Sequence, residues 1–408
     1  MSPRPAVPHL PLLRPVAWEL RLTAPTLLAE EIAYDPRAPT EDLLCEILLR
    51  LPPQPSSLPR ASAVCKRWRR LVSDPGFFRR FRLRHRRNPP LLGFFDKYGG
   101  SPFRSSLEAP NCIPPGRFSL QRDGDDYDRS ISLGCRHGLF LIFLTKHRQV
   151  LVWDPVTGDE HRIAVPAAFD EDKTVGLVNG AVLRPAEEDP HFQVVLAVAD
   201  DKQQALACVY SSKTGLWGDL ISTPLPSEAN GSPIPTMVFI EDSVLVGDSL
   251  YWKLTGNFQE ILEFDLVKQT LAVIRVPLDM CGEDRRFKIM RAESGGLGCL
   301  VPSYDCAAQL WKRKTDCDGA SSWGLARTIE LDKLLSVKSV CFLGIAEENN
   351  VVFLWNTIGV FMVHLQSLKF KKLFKTNIIT YYHPFESVYS AGTCVGGGHD
   401  GAKLLLNT

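Results

Sequence analysis

"VWDPVTG" (residues 152–158) aligns without gaps on "VYSSKTG" (209–215), and that repeat decides how most of the chain is read. The two segments share a valine, an aromatic residue and a closing Thr-Gly. "LVWD" (151–154) returns as "LEFD" (262–265), and in both cases a Val-Pro pair begins eleven residues beyond the aspartate, at 165–166 and 276–277. "QLWKRK" (309–314) and "FMVHLQ" (361–366) are fainter copies. The landmarks Trp153, Tyr210, Phe264, Trp311 and Val363 are separated by 57, 54, 47 and 52 residues. A period near 50, with several short alternating apolar runs in each unit, is the pattern of a β-propeller blade. Each copy predicts a strand whose aromatic lies between neighbouring sheets, with Thr-Gly or its equivalent turning into the next strand. About 320 residues at roughly 52 per unit give about six blades, five to seven being compatible, with a sandwich of sheets as the competing architecture. "PLLGFF" (90–95) is placed to pair with a strand in "YYHPFESVYS" (381–390) and close the ring.

Ahead of this β-region the pattern is helical. Thr40 is placed to cap a helix, and Glu41 and Asp42 suit the positive end of its dipole. Leu43, Leu44, Ile47, Leu48 and Leu51 fall on one apolar face, and Pro52-Pro53 stops the helix. Ser56 or Ser57 caps a second helix, with Pro59 in its first turn. Its apolar set is Leu58, Ala61, Val64, Cys65, Trp68, Leu71 and Val72, spaced by threes and fours. Asp74-Pro75 reads as a third cap, followed by Phe77, Phe78 and Phe81. Three short helices in about 45 residues bury too little surface to stand alone, so this unit wants a partner or a neighbouring domain.

The run "PTEDLLCEILLRLPPQPSSLPRASAVCKRWRRLVSDPGFFRRF" (39–81) resembles the F-box, the adaptor-binding motif of Skp–cullin–F-box ubiquitin ligases. The shared features are Pro39, the D-L-L-x-E-I-L-x-R-L-P run ending at Leu51-Pro52, Leu58, the V-C-K-R-W-R-x-L run from Val64 to Leu71, and Asp74-Pro75. Ala38 departs from the pattern, since many members have leucine there. The resemblance implies that Pro39, Leu44, Ile47, Leu51, Pro52, Leu58, Val64, Cys65 and Trp68 dock a Skp-family adaptor, which bridges to a cullin scaffold. Some of these residues must also hold the helices together. The β-region is similar, more diffusely, to the F-box-associated β-domain common in plant F-box proteins, which implies no particular substrate.

From Arg60 to Arg87 there are eleven lysines and arginines against one acid, Asp74. This strip is open to four readings: a phosphate footprint for nucleic acid, a solvated face, a surface for an acidic protein, or a nuclear-import patch such as "RHRR" (84–87). Its aromatics sit at helical core spacing and do not form a stacking platform. "GDSL" (247–250) matches the nucleophile block of a family of serine esterases, but those enzymes also need a downstream Asp-x-x-His. None of the nine histidines has an aspartate three residues before it, so Ser249 reads as part of a turn feeding a strand. The glycine runs at 295–298 and 396–398 lack the Lys-Ser/Thr of a phosphate loop.

Composition agrees with a globular, non-secreted chain. The 408 residues are 45% apolar and 23% charged, with a net charge of +1, which gives no global argument for nucleic acid or membrane. Eleven cysteines without C-x-x-C pairs read as reduced thiols in cytosol or nucleus. The longest apolar run, "LFLIFL" (139–144), is far short of a membrane helix. Sequence therefore predicts a proline-rich flexible leader (1–37), an F-box helical domain (38–88), a β-propeller-like domain (89–394) and a loose tail (395–408). The expected function is a non-catalytic substrate receptor for ubiquitination, with no cofactor, no metal and an unidentified protein substrate.

Overall fold

The computed structural model describes residues 41–97, 103–120, 130–170, 174–184, 191–226, 235–255, 260–277, 280, 287–293, 295–303, 307–315, 321–331 and 340–390. The described chain begins with four helices, α1 (Glu41–Leu49), α2 (Ser57–Ser62), α3 (Lys66–Val72) and α4 (Pro75–His85). The single second helix expected from the apolar spacing is therefore two. Ala63–Cys65 breaks it, and Cys65 is fully extended (φ −161°, ψ 169°) as it enters α3. The three-and-four spacing runs through the break unchanged, so the sequence gives no sign of it. The α4 cap is as expected: Asp74 Oδ2 accepts the Phe77 N–H at 2.6 Å, and Pro75 occupies the first turn.

Six sheets follow. Blade 1 is β3 (Ser130–Arg136), β4 (Leu139–Leu144), β5 (Gln149–Trp153) and β6 (Glu160–Ala164). Blade 2 is β7 (Thr174–Leu183), β8 (Gln193–Asp200) and β9 (Gln204–Ser211), with β10 (Leu216–Trp217) and β11 (Ile221–Pro224) both pairing with β9. Blade 3 is β12 (Val244–Val246), β13 (Ser249–Lys253), β14 (Glu260–Asp265) and β15 (Thr270–Arg275). Blade 4 is β16 (Lys288–Arg291), β17 (Leu297–Pro302), β18 (Ala307–Thr315) and β19 (Ser321–Glu330). Blade 5 is β20 (Cys341–Ala346), β21 (Val351–Asn356), β22 (Gly359–His364) and β23 (Phe370–Phe374). The sixth sheet joins the two ends of the β-region: β1 (Leu91–Asp96) lies between β2 (Arg104–Ser105) and β24 (Tyr382–Glu386). The chain is a six-bladed propeller closed by antiparallel pairing of residues 91–96 with 382–386, in the register Phe94 to Pro384 and Phe95 to His383.

Each landmark of the repeat lies on the third strand of its blade, and each faces the preceding blade. Trp153 sits in the apolar cluster shared by the sixth and first blades, and Tyr210 packs on the cluster between blades 1 and 2. Phe264, Trp311 and Val363 occupy the next three boundaries. The turn that follows is also shared. Asp154 Oδ1 accepts the N–H groups of Val156 and Thr157 (2.9 and 3.3 Å), and Asp265 Oδ1 accepts those of Val267 and Lys268 (3.0 and 2.8 Å). Four residues after these aspartates the backbone turns left-handed, at Gly158 (φ +86°) and at Gln269 (φ +54°). Such side-chain-capped turns explain the preference for Asp and for Thr-Gly at these places.

"LFLIFL" is buried throughout because it is the second strand of blade 1. Leu139, Leu141 and Phe143 face blade 2, while Phe140, Ile142 and Leu144 face the closing sheet. That is the period-2 alternation of a strand covered on both sides.

The closing strand is held at both its apolar and its polar end. Phe385 is fully buried among Phe95 and Phe118, each 5.4 Å away ring to ring, and Phe103 at 6.2 Å. Glu386 accepts the N–H of Asn349 (2.9 Å), its side-chain amide (2.6 Å) and the N–H of Glu348 (3.3 Å). Burial, with Glu347 and Glu348 nearby, raises the Glu386 carboxyl from 4.5 to about 7, against the pull of those hydrogen bonds.

Two predictions follow from this closure. Phe385→Ala should cost about 3–5 kcal/mol, the usual loss for a buried phenylalanine, and should lower the denaturant midpoint of the whole propeller in one transition. A separate melting step for the sixth sheet would contradict closure. Because the folded Glu386 binds its proton more tightly than the unfolded one, stability should be highest below pH 4.5. It should then fall as pH rises towards 7 and be flat above. Measured as the difference from Glu386→Gln, the loss across that window should be on the order of 2 kcal/mol for a partly buried group.

Candidate functional site

The nine positions expected to meet an adaptor divide by exposure. Leu44 and Leu58 are buried, so their leading role is to hold the helices. Leu51 and Trp68 are half-buried, and Pro52 and Cys65 are exposed. Ile47 is 47% exposed and Val64 is 61% exposed, unusual for large aliphatic residues in a helical unit this small. Pro39 lies outside the described residues. Leu43, one turn before Ile47 on the same helix, is 54% exposed; it belonged to the apolar face in sequence but not to the expected contact set.

The helical unit is tied down by polar contacts. His85, kept below its usual range mainly by burial, lies with Nε2 2.9 Å from the Leu49 carbonyl, joining α4 to the end of α1. Asn111 bridges to the loop after α1: its Oδ1 accepts the Ser56 N–H and its Nδ2 donates to Gln54 Oε1, both at 3.0 Å. Asn349 donates to the carbonyl of Pro89, and the Ser387 N–H donates to that of Pro90, so the connection into β1 is also fixed.

The basic strip divides by face. Arg80, Arg84 and Arg87 on and just after α4 point to solvent, whereas Arg82 and Arg86 turn towards the propeller. Between α4 and blades 1 and 2 lies a cleft of about 1170 Å³ that continues to the mouth of the central channel. Among its lining residues is Asp154, the repeat's aspartate in blade 1. While Oδ1 caps the turn, Oδ2 receives Arg82 at 3.3 Å and Arg184 at 3.4 Å, with the carboxylate itself only 6% exposed. Arg86 Nη2 reaches the Arg184 carbonyl at 3.5 Å. His137 Nδ1 accepts the Arg184 N–H at 3.1 Å, and its pKa falls to about 3, first through burial and then through Arg136, Arg86, Arg184 and Arg291.

The channel mouth has the opposite character. Arg136 on β3 donates to Glu347 (2.6 Å), to Ser243 Oγ (3.0 Å) and to the Ser243 carbonyl (2.7 Å), while Arg291 pairs with Glu348 at 3.1 Å. Further along, Lys288 pairs with Glu241 at 3.1 Å, and His383 Nδ1 lies 2.8 Å from Asp242. Burial opposes the Asp242 charge, yet the combined attraction of His383, Lys97 and Lys288 leaves its carboxyl below the usual range. These contacts lace the innermost strands together.

Ser249 begins β13, two residues after Gly247 (φ +58°), in register with Asp265. This is the turn-and-strand position expected for it. Among the described residues no cluster of three or more metal-ligating side chains occurs, and no helix is long and apolar enough to cross a membrane.

Comparison with known proteins places both regions. Residues 41–84 match the F-box-like family, and residues 132–390 match the family described as F-box protein AT5G49610-like, beta-propeller. Two Arabidopsis thaliana relatives are "Putative F-box protein At3g16210", 25% identical over 186 residues, and "Putative F-box protein At3g21120", 28% identical over 151 residues. These matches take in 46% and 34% of this chain, and span 48% and 39% of the relatives' own lengths. A solved structure of a protein of unknown function from Bacteroides caccae is 12% identical with a TM-score of 0.38, over 72% of this chain and 97% of that one. With an F-box-like helical unit followed by six blades, the chain belongs to the AT5G49610-like family of F-box β-propeller proteins.

Proposed function

We propose that this protein is the substrate receptor of a Skp–cullin–F-box ubiquitin ligase, acting in cytosol or nucleus. Its helical unit docks a Skp-family adaptor, which links it to a cullin, and its propeller holds the protein to be ubiquitinated. The chain contributes proximity and orientation, and the bond-making chemistry belongs to other subunits. The observation that carries this reading is the exposure of Ile47 and Val64 within a segment that matches the F-box-like family. Large aliphatic groups left in water at helix ends and turns are what an interface covers. A catalytic role for Ser249 has no such support, since the serine belongs to a hairpin turn.

The adaptor contact is tested with Ile47→Glu and Val64→Glu, because these side chains are outside the core and their replacement leaves the helices intact. Either change should abolish capture of a purified Skp-family adaptor in a pull-down, since burying an unpaired carboxylate costs several kcal/mol. Arg69→Gln with Arg70→Gln should reduce capture by less than about tenfold, because exposed charges contribute at most about 1 kcal/mol each. Loss of capture in the arginine variant alone would transfer the function to the basic face. Ser249→Ala should leave folding and adaptor capture as in the wild type. Any ester hydrolysis by the purified protein that disappeared with this change would argue for an enzyme.

A further inference from the structure

The rim of blade 5 carries a second exposed apolar surface, remote from the helices. Strand β24 runs from Tyr382 to Glu386, and its Glu386 end lines the cleft against α4 together with Ser387 and Val388. The loop 375–381 enters β24 at the opposite end. That loop is pinned twice: the Trp355 indole N–H donates to the Thr376 carbonyl at 3.0 Å, and the Thr380 hydroxyl donates to Asp96 at 2.7 Å. Between the pins, Ile378 and Ile379 stand 73% and 53% exposed. The β21–β22 turn packs beside the start of this loop, since a Cβ on Gly359 would lie 2.4 Å from the Phe374 carbonyl oxygen. Asn356 Oδ1 fixes the turn by accepting the N–H groups of Ile358 (2.8 Å) and Gly359 (3.1 Å), and Ile358 is left 45% exposed. Three isoleucines are thus held in water by pinned backbone, the arrangement of a surface that a partner covers.

The charges around these isoleucines are of one sign. Residues 349–385 include four lysines and no aspartate or glutamate. Lys372 and Lys375 are exposed, and Arg104, exposed on β2, lies 4.7 Å over the Phe374 ring. Among the described residues none of these three cations pairs with a carboxylate. The described acids bonded to this rim are engaged, Asp96 by Thr380 and Glu108 by Lys371 at 2.7 Å. The adjoining sequence adds no surplus of acid: 98–102 has no charged residue, and 332–339 sets Asp332 against Lys333 and Lys338. We propose that the rim formed by Ile358, Ile378 and Ile379 with Lys372, Lys375 and Arg104 docks the protein substrate, and that it takes an acidic segment bearing large apolar side chains. The isoleucines supply the contact that is buried, while the cations complement carboxylates beside it and disfavour basic segments. This inference rests on the substrate-receptor reading and puts the substrate at the end of β24 opposite to α4.

The experiment measures retention of three short peptide libraries by the full-length chain at 50 and 200 mM salt. The first mixes Leu, Ile and Phe with Asp and Glu. The second has Asn and Gln in place of the acids, and the third has Ser in place of the apolar residues. Vesicles of phosphatidylcholine, with and without phosphatidylserine, are a separate probe. The wild type should retain the first library at least tenfold better than the other two, less well at the higher salt, and should bind neither vesicle. Ile378→Ser combined with Ile379→Ser should lower retention tenfold or more. Lys372→Gln combined with Lys375→Gln should lower it several-fold and flatten the salt dependence. Leu216→Ser, at a leucine of blade 2 that is 68% exposed, should leave it unchanged. All these side chains are exposed, and matching circular dichroism and melting curves establish that each variant is folded. Every variant should capture a purified Skp-family adaptor as the wild type does. Failure of the wild type to capture the adaptor would overturn the receptor reading and leave the peptide result standing, so the two failures are distinguishable. The docking proposal is overturned if the first library is not retained, or if the second or third is retained equally well. It is also overturned if the isoleucine variant binds as the wild type does, if Leu216→Ser weakens binding equally, or if anionic vesicles bind through the same isoleucines.

Discussion

The architecture depends on one antiparallel pairing, that of residues 91–96 with 382–386. A propeller blade is covered on both faces by its neighbours, so an open ring would leave two sheet faces bare at the gap. Here those faces carry Leu92, Phe95 and Phe385 on one side, and Leu91, Phe94 and Tyr382 on the other. Exposing either cluster costs about 25 cal/mol for each Å² of apolar surface, and no local rearrangement recovers it. Closure by two segments almost 300 residues apart thus makes the ring a single cooperative unit. The aromatic crowding at the seam, with Phe95 against Phe140, Trp153 and Phe385, is where that requirement is written most densely.

The first blade has a second duty. In blade 3 the turn aspartate, Asp265, uses its other oxygen locally, on Lys268 at 3.1 Å. In blade 1 the same position, Asp154, directs that oxygen to Arg184 and to Arg82 of α4. A residue selected by the turn is thereby also an anchor for the helical unit. A carboxylate this buried is tolerated only with its charge compensated, so the turn, the anchor and the arginine-lined wall of the cleft are energetically one feature.

Much of this was legible in the sequence, for identifiable reasons. The blade number and the closing segments followed from a repeat that fixes both a strand face and a turn: Trp153, Phe264 and their equivalents must fill an inter-blade gap, and Asp154 and Asp265 must cap the turn after it. The break at residues 63–65 was hidden because Val64 and Cys65 keep helical spacing across it, although the backbone at Cys65 is extended. The split of the arginines was hidden for a different reason. Arg82 and Arg86 differ from Arg80 and Arg84 only in helical phase, and phase has meaning only when the surface that α4 meets is known. The cleft belongs to that class of feature, because it is assembled from α4, blade 1 and blade 2, segments separated by about 50 to 130 residues.

The same partition changes how the basic strip should be understood. Read along the chain, eleven cations against one acid suggest a single polyanion-binding surface. In three dimensions the charges fall into populations with different physics. Arg80, Arg84 and Arg87 stand in solvent, where salt screens them and each contributes little beyond steering. Arg82 and Arg86 turn towards the propeller, Arg82 onto the buried Asp154 carboxylate and Arg86 onto the Arg184 carbonyl, so their contacts tie α4 to the blades. A polyanion would meet the first population, while the second is already engaged with the propeller.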